Sequence, residues 1–384
     1  NVPVDIQGEN NTVNFTANSA DSGNYIQDAQ TIVSNDLATD FSNMSDYQIL
    51  HRDSDDTYWQ YSSLTKNSEG DYTAVYNQLT DFTFDTSSGT ITGYTGALTA
   101  YLNQQNGTTA STELVIPDTI NGIAVGIIGS NAFANVTGFT TLTLGANVWN
   151  VSDSAFKGLG LNEVNLDANL STIGDNAFSN NQLTTLTVPS KVATIGTDAF
   201  SGNQLATLTF AEGSGLTSIG ASAFANNALT SLTLPTTTAT SNGQAGTITI
   251  GSSAFQNNQL ISVDLGTTIG SIGSSAFQGN QIAGTLVIPA GVSTIDANAF
   301  ADNQITAVQL GLGTNGNQIA LGQDAFSDNL ISNISVNGEQ VNASTSNVAF
   351  QKQFESDPIE ITIEGGTDGT LSNFWKTLAA NTTV

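Results

Sequence analysis

From about residue 110 the chain sets single Leu, Ile, Val and Phe residues into a background of Gly, Ser, Thr, Asn and Gln, and these apolar positions return with a fixed period. The marker is an Ala-Phe pair, with phenylalanines at Phe133, Phe156, Phe178, Phe200, Phe224, Phe255, Phe277, Phe300 and Phe326, mostly 22 to 24 residues apart. The longer intervals follow from insertions, TTTATSNGQAG at 236–246 and GLGTNGN at 311–317, and a worn tenth copy ends at Phe350. In one unit, NQLTTLTVPSKVATIGTDAFSG, the alternation of Leu183, Leu186 and Val188 predicts a short half-buried strand that Pro189 stops. Val192, Ile195, Ala199 and Phe200 supply further inward positions. A unit this short cannot bury its apolar edge alone, so it must stack on its neighbours as a solenoid. The expectation is one strand per coil in a parallel sheet, with the phenylalanines stacked into a spine. Gly196 and Gly220, each following an inward Ile, are expected to permit a tight turn.

A second column is asparagine, two residues before the first apolar residue of each strand: Asn181, Asn203, Asn227, Asn258, Asn280, Asn303 and Asn329. Backbone buried at a repeated turn needs partners, and a side-chain amide both donates and accepts. The column is therefore read as a structural ladder running from coil to coil.

The pattern N-x-L-x-x-L-x-L-P followed by I-G-x-x-A-F, from about 113 to 336, resembles the BspA-type leucine-rich repeats of bacterial cell-surface proteins. The opening segment STELVIPDTINGIAVGIIGSNAF is similar to the start of such arrays. The resemblance implies a non-enzymatic protein of the bacterial cell surface. Such a protein is secreted, held at the wall by a segment outside this sequence, and adhesive toward extracellular-matrix proteins, mucin or cell-surface glycans of a host. The lack of cysteine, the Thr, Asn and Gln surface and the acidity are similar to surface proteins of Gram-positive, lactic acid bacteria. The start at Asn1 without Met fits a processed secretory protein or a fragment.

Composition divides the chain. All eight tyrosines lie between Tyr25 and Tyr101, with the only His (His51) and the only Met (Met44). Apolar Ile26, Ala29, Val33, Leu37, Phe41 and Met44 predict an amphipathic helix within 24–45. The segments YQIL, TYWQYSSL, YTAVY and FTFD predict strands. The expected architecture is an α+β N-terminal domain over 1–110, capping or binding, then a leucine-rich-repeat solenoid with a parallel β-sheet over 111–336. A C-terminal cap over 337–384 would use Phe350, Phe354, Phe374 and Trp375 to shield the last coil.

Six Lys plus Arg against 33 Asp plus Glu give a formal charge of -27, which excludes nucleic acid and anionic lipid as partners. No apolar run is long enough for a membrane span. Without cysteine there is no disulfide, thiolate metal site or cysteine nucleophile. One histidine without a G-x-S-x-G elbow gives no catalytic triad, and nothing marks a carboxylate pair for glycoside hydrolysis. No catalytic residue and no cofactor is expected. Asp53, Asp55 and Asp56 form the one acidic loop that suggests calcium, yet it lacks the glycine and closing Glu of an EF-hand.

Candidate ligand-binding residues are the outward strand positions Thr185, Thr187, Thr207, Thr209, Ser231, Thr233 and Asp264, then Trp59 and Tyr61 as aromatic contacts. T-x-T columns resemble the ice-binding surface of some β-solenoid antifreeze proteins, but Thr285 with Val287, and Ala307 with Gln309, break the pattern. The functional expectation is a surface adhesin binding through the sheet face or the N-terminal domain, more strongly at acidic pH. A structural spacer presenting other domains is the alternative.

Overall fold

The computed structural model describes residues 13–17, 49–52, 57–66, 72–100, 111–235, 247–311, 319–337, 341–343 and 360–364. The predicted helix over 24–45, the acidic loop at 53–56, the insertion 236–246, residues 312–317 of the other insertion and the aromatic residues 350, 354, 374 and 375 lie outside them. The chain divides into two compact units, 1–111 with 117–126, and 112–116 with 127–384.

In the first unit the predicted segments TYWQYSSL, YTAVY and FTFD are strands, and of YQIL the described residues Ile49 and Leu50 fall in a strand. Ile49–Arg52, Thr57–Lys66 and Tyr72–Leu79 form an antiparallel sheet with Val13–Ala17, in the order 13–17, 72–79, 57–66, 49–52. Phe82–Asp85 pairs antiparallel with Thr90–Tyr94. Thr119–Ile120 pairs with Ile123–Ala124 through the two-residue turn Asn121-Gly122. Both turn residues have positive φ, 55° and 74°, as a hairpin turn of the primed type requires.

The second unit is a parallel β-solenoid in which each coil contributes two strands, not the single one expected. The leucine strands, such as Thr185–Val188 beside Thr207–Phe210 and Ser231–Thr233 beside Ser262–Asp264, pair in short blocks. The uninterrupted ladder is built instead from the Thr-Ile step further along the coil. It runs through Ile127–Ile128, Asn150–Val151, Thr172–Ile173, Thr194–Ile195, Ser218–Ile219, Ile248–Ile250, Ile269–Ile272, Thr294–Ile295, Ile319–Leu321 and Val341–Ala343, every pair parallel. Two residues suffice because one points inward and its neighbour out, and the register repeats in every coil. Both ladders continue past residue 336, to Val341–Ala343 and Glu360–Glu364.

The glycine after each Ile serves a purpose other than the expected turn. Gly196 is absent from the residues with left-handed φ, and a Cβ on it would stand 2.5 Å from the carbonyl carbon of Gly174 in the preceding coil. Close approach of stacked backbones, and not turn conformation, excludes the side chain.

The nine phenylalanines are fully buried, and consecutive rings stack with centroids 4.8 to 5.4 Å apart. Around each one the backbone turns a corner through two left-handed residues. Two positions before the ring stand Asn131, Ser154, Asn176, Asp198, Ser222, Ser253, Ser275, Asn298 and Asp324; two after it stand Asn135, Gly158, Asn180, Gly202, Asn226, Asn257, Gly279, Asp302 and Asp328. Only Asn, Asp, Ser and Gly occur there, the small or self-bonding side chains that tolerate this region. Corners bond to one another, as when Phe156 N donates to Ala177 O at 2.9 Å and Phe200 N to Ala223 O at 2.8 Å.

The asparagine column is the expected ladder, made through backbone partners. Asn203 Oδ1 accepts from Leu183 N at 3.1 Å, and its Nδ2 donates to the carbonyls of Phe178 and Phe200. Asn227, Asn258, Asn280, Asn303 and Asn329 repeat this arrangement, and Asn181 accepts from both Gly160 N and Leu161 N.

Candidate ligand-binding face

Each leucine strand turns its central Leu inward and leaves two positions outside. Leu186 and Leu208 are buried, while Thr185, Thr187, Thr207 and Thr209 are exposed. Parallel register sets Thr185 beside Thr207 and Thr187 beside Thr209. The four residues form a two-by-two block of β-branched hydroxyls, with Thr187 and Thr209 hydrogen-bonded at 2.9 Å. Threonine suits these positions because its branched Cβ fits the pleat while its hydroxyl faces water.

Ser231 and Thr233 begin a second block, set beside Ser262 and Asp264. All four are exposed, and Asp264 Oδ1 accepts from Gly266 N at 2.9 Å, which fixes the carboxylate at the strand's end. The structure thus gathers the seven solenoid candidates on one face, in two blocks without a continuous ladder between them. The full T-x-T array spans only two ladder-paired coils, which is too little surface for a periodic lattice.

Trp59 and Tyr61 fall in the strand Thr57–Lys66 of the first unit. Trp59 lies across from Leu50 and Gln78, and Tyr61 across from Tyr76. They belong to a different unit from the threonine face. Among the described residues no group of three or more His, Asp or Glu is placed to hold a metal ion.

Two features escaped the sequence reading. Glu113 and Glu163 flank Thr141 in register, putting carboxylates into the same outward column. Thr143 Oγ1 donates to Glu113 Oε1 at 2.9 Å and accepts from Asn165 Nδ2 at 3.4 Å. The second is a row of hydroxyls along the continuous ladder, Thr172, Thr194, Ser218, Thr249, Ser271 and Thr294, each paired with the next. A repeated Ser or Thr before each inward Ile was its signal.

Among the described residues, the electrostatic departures lie in the first unit. Hydrogen bonds from the Ser88 and Ser87 side chains, then from Ser87 N, hold the Asp85 carboxyl below the usual aspartate range. Burial, then the charge of Asp81, pushes the Tyr94 phenol up.

The model of the BspA type leucine-rich repeat region matches this chain over 126–246 and 248–364, in six copies. The chain belongs to the BspA-type leucine-rich repeat family. Its asparagine ladder and phenylalanine spine are therefore the packing of a member of that family. Among solved structures it is similar to the pneumococcal vaccine antigen PcpA, with 17% identity and a TM-score of 0.34 over 87% of this chain and 96% of that one. A leucine-rich repeat protein from Bacteroides ovatus matches with 14% identity and a TM-score of 0.38, over 73% of this chain and 88% of that one. A leucine-rich cell surface protein from Faecalibacterium prausnitzii matches with 15% identity and a TM-score of 0.25, over 84% and 99%. No curated protein sequence matches the chain significantly. Among the described residues no helix is long and apolar enough to cross a membrane.

Proposed function

We propose that this BspA-type protein is a non-enzymatic adhesin of a bacterial cell surface, displayed outside a Gram-positive cell and held at its wall. Its threonine face binds an extracellular-matrix protein or a mucin glycan of the host. The observation that carries the reading is the two-by-two block of Thr185, Thr187, Thr207 and Thr209. The block is exposed and rigidly registered, and its hydroxyls outnumber what the fold itself uses. Such a face offers many weak hydrogen bonds and no deep anchor, which suits multivalent display on a cell. Trp59 and Tyr61 give the N-terminal domain, 1–110, a second place to bind.

The test is surface plasmon resonance of the 384-residue protein against fibronectin, collagen, laminin, fibrinogen and mucin. The quadruple substitution of Thr185, Thr187, Thr207 and Thr209 by Lys is run alongside. Saturable binding by the unmodified protein that the lysine variant loses supports the threonine face. Binding unchanged in the variant moves the site to another face, and silence across the panel replaces the adhesin with a spacer.

A further inference from the structure

Trp149 is the one exposed aromatic side chain among the residues whose burial is described, with 48% of its surface open to solvent. The coil does not need an indole there. Aligning coils on the inward residues Val151, Ile173, Ile195 and Ile219 puts Ser171, Ala193 and Thr217 in its column. Ser171 and Thr217 spend their hydroxyls on the carbonyl of the coil before, Trp149 O at 2.9 Å and Ala193 O at 3.0 Å. A small residue fills the structural role, and the large aromatic is a departure from it.

The neighbours of Trp149 are polar. Two residues upstream, beyond the buried Val148, lies Asn147, and the same outward position in the next coils holds Asn169 and Lys191. Lys191 Nζ reaches back one coil to donate to Asn169 Oδ1 at 2.6 Å, and Asn169 Nδ2 donates to Ala146 O at 2.8 Å. The ammonium therefore stands over the coil next to that of Trp149, about 5 Å along the stack. An ammonium carries three donors, so this bond leaves others to offer. It is also one of only six cationic side chains in a chain of charge -27.

We propose that Trp149, Asn169, Ser171 and Lys191 form a binding site for a pyranose sugar. The C–H face of the ring lies on the indole. Its hydroxyl edge accepts from the Lys191 ammonium and the Asn169 amide and donates to the Ser171 oxygen. A sugar is the ligand that presents one apolar face and a polar rim within the width of a single coil. A protein hot spot would instead surround the aromatic with apolar, desolvated neighbours. The exposed apolar side chains Val115, Ile261, Val287 and Leu330 belong to other coils. The site lies at the entry to the isoleucine ladder, on a different strand from the threonine face, and stands without it.

Saturation-transfer NMR on the 384-residue protein with maltotriose, cellotriose, mannotriose and N-acetyllactosamine tests it. At least one oligosaccharide is expected to receive saturation on its ring C–H protons. The titrated affinity should fall tenfold or more in Trp149→Ala and several-fold in Lys191→Ala, while Trp149→Phe keeps most of it and Ile261→Ala all of it. Thermal melting of each variant separates lost binding from lost folding. No transfer to any of the four, or transfer undiminished in folded Trp149→Ala, overturns the site. Sugar binding that persists in the quadruple threonine variant sustains it apart from the adhesin reading, and sugar binding lost there while Trp149→Ala keeps it overturns it.

Discussion

Asn203 Nδ2 donates at 3.0 Å to the carbonyl oxygen of Phe178, 25 residues earlier in the chain, and at 3.0 Å to that of Phe200 in its own coil. One buried amide thereby ties two coils together at the level of the aromatic spine. Replacing it with Ala strands Leu183 N, while the carbonyls of Phe178 and Phe200 keep Asn181 Nδ2 and Asn227 Nδ2 as donors. An unsatisfied buried polar group costs about 1–3 kcal/mol, so Asn203→Ala is expected to lose about that much for Leu183 N alone, measured by urea denaturation.

Asn203→Asp gives the same defect a pH signature. The carboxylate still accepts from Leu183 N but faces two carbonyl oxygens, so its folded pKa rises above the unfolded value. The variant is then expected to be least stable at neutral pH and to recover as the pH falls through that raised value, because only the protonated acid can donate to a carbonyl. Melting of variant and parent at pH 4 and pH 7 checks this. A gap as wide at pH 4 as at pH 7 refutes it.

Phe200 stacks between Phe178 at 5.2 Å and Phe224 at 5.4 Å. Phe200→Ala opens a cavity in the middle of the spine and is expected to cost about 3–5 kcal/mol, with Phe200→Leu losing less. Because each coil rests only on its neighbours, the damage should divide the unfolding of the array into two transitions. Differential scanning calorimetry would show them.

Asn180, exposed, holds a φ of 56° at a corner where neighbouring coils carry Gly158 and Gly202. Asn180→Gly should leave stability within a few tenths of a kcal/mol. Asn180→Val, whose branched side chain resists this region, should cost roughly 1–2 kcal/mol by chemical denaturation.

Asp85 has a folded pKa below its ordinary value because Ser88 and Ser87 donate to the carboxylate. Its contribution to the hairpin of Phe82–Asp85 and Thr90–Tyr94 is present above the unfolded pKa and is lost as the pH falls through the folded one. Carbon-detected NMR titration should place Asp85 below the usual aspartate range, and Ser88→Ala should bring it back up.

The proposed adhesion carries a charge dependence of its own. Lowering the pH from about 6 to 4 protonates carboxylates with reference values near 4, and repulsion from anionic mucin fades. Mucin binding is expected to strengthen over that interval in low salt, read by surface plasmon resonance. Equal binding at both ends removes the electrostatic part of the proposal.

Much of the solenoid could be read from the chain because its strongest constraints repeat. A phenylalanine that must stack and an asparagine that must satisfy buried backbone cannot drift from coil to coil. The strand assignment was harder. Leu186 and Val188 make a conspicuous alternation, whereas Thr194–Ile195 is too short for any periodicity, yet the latter joins the unbroken ladder. Positive φ at Asn176 or Asn180 left only a restricted choice of residue types as its trace. Thr185 and Thr207 were placed together by register, while Glu113 and Glu163 share that column without sharing its residue type. Trp149 stood in ANVWNVS, a stretch whose polar residues conceal its alignment with Ser171.

The asparagine ladder points one way. Each side chain satisfies the coil before it: Asn203 completes Leu183, Asn227 completes Leu205, and Asn329 completes Ile305. A chain that emerges from its point of synthesis or export amino end first therefore lags one coil behind its own appearance. The backbone N–H that each of these asparagines completes has no such partner until the asparagine 20 to 29 positions later has arrived. Order of emergence and order of completion coincide, so a long array can assemble while still threading through a pore, with a single unfinished coil at its growing end.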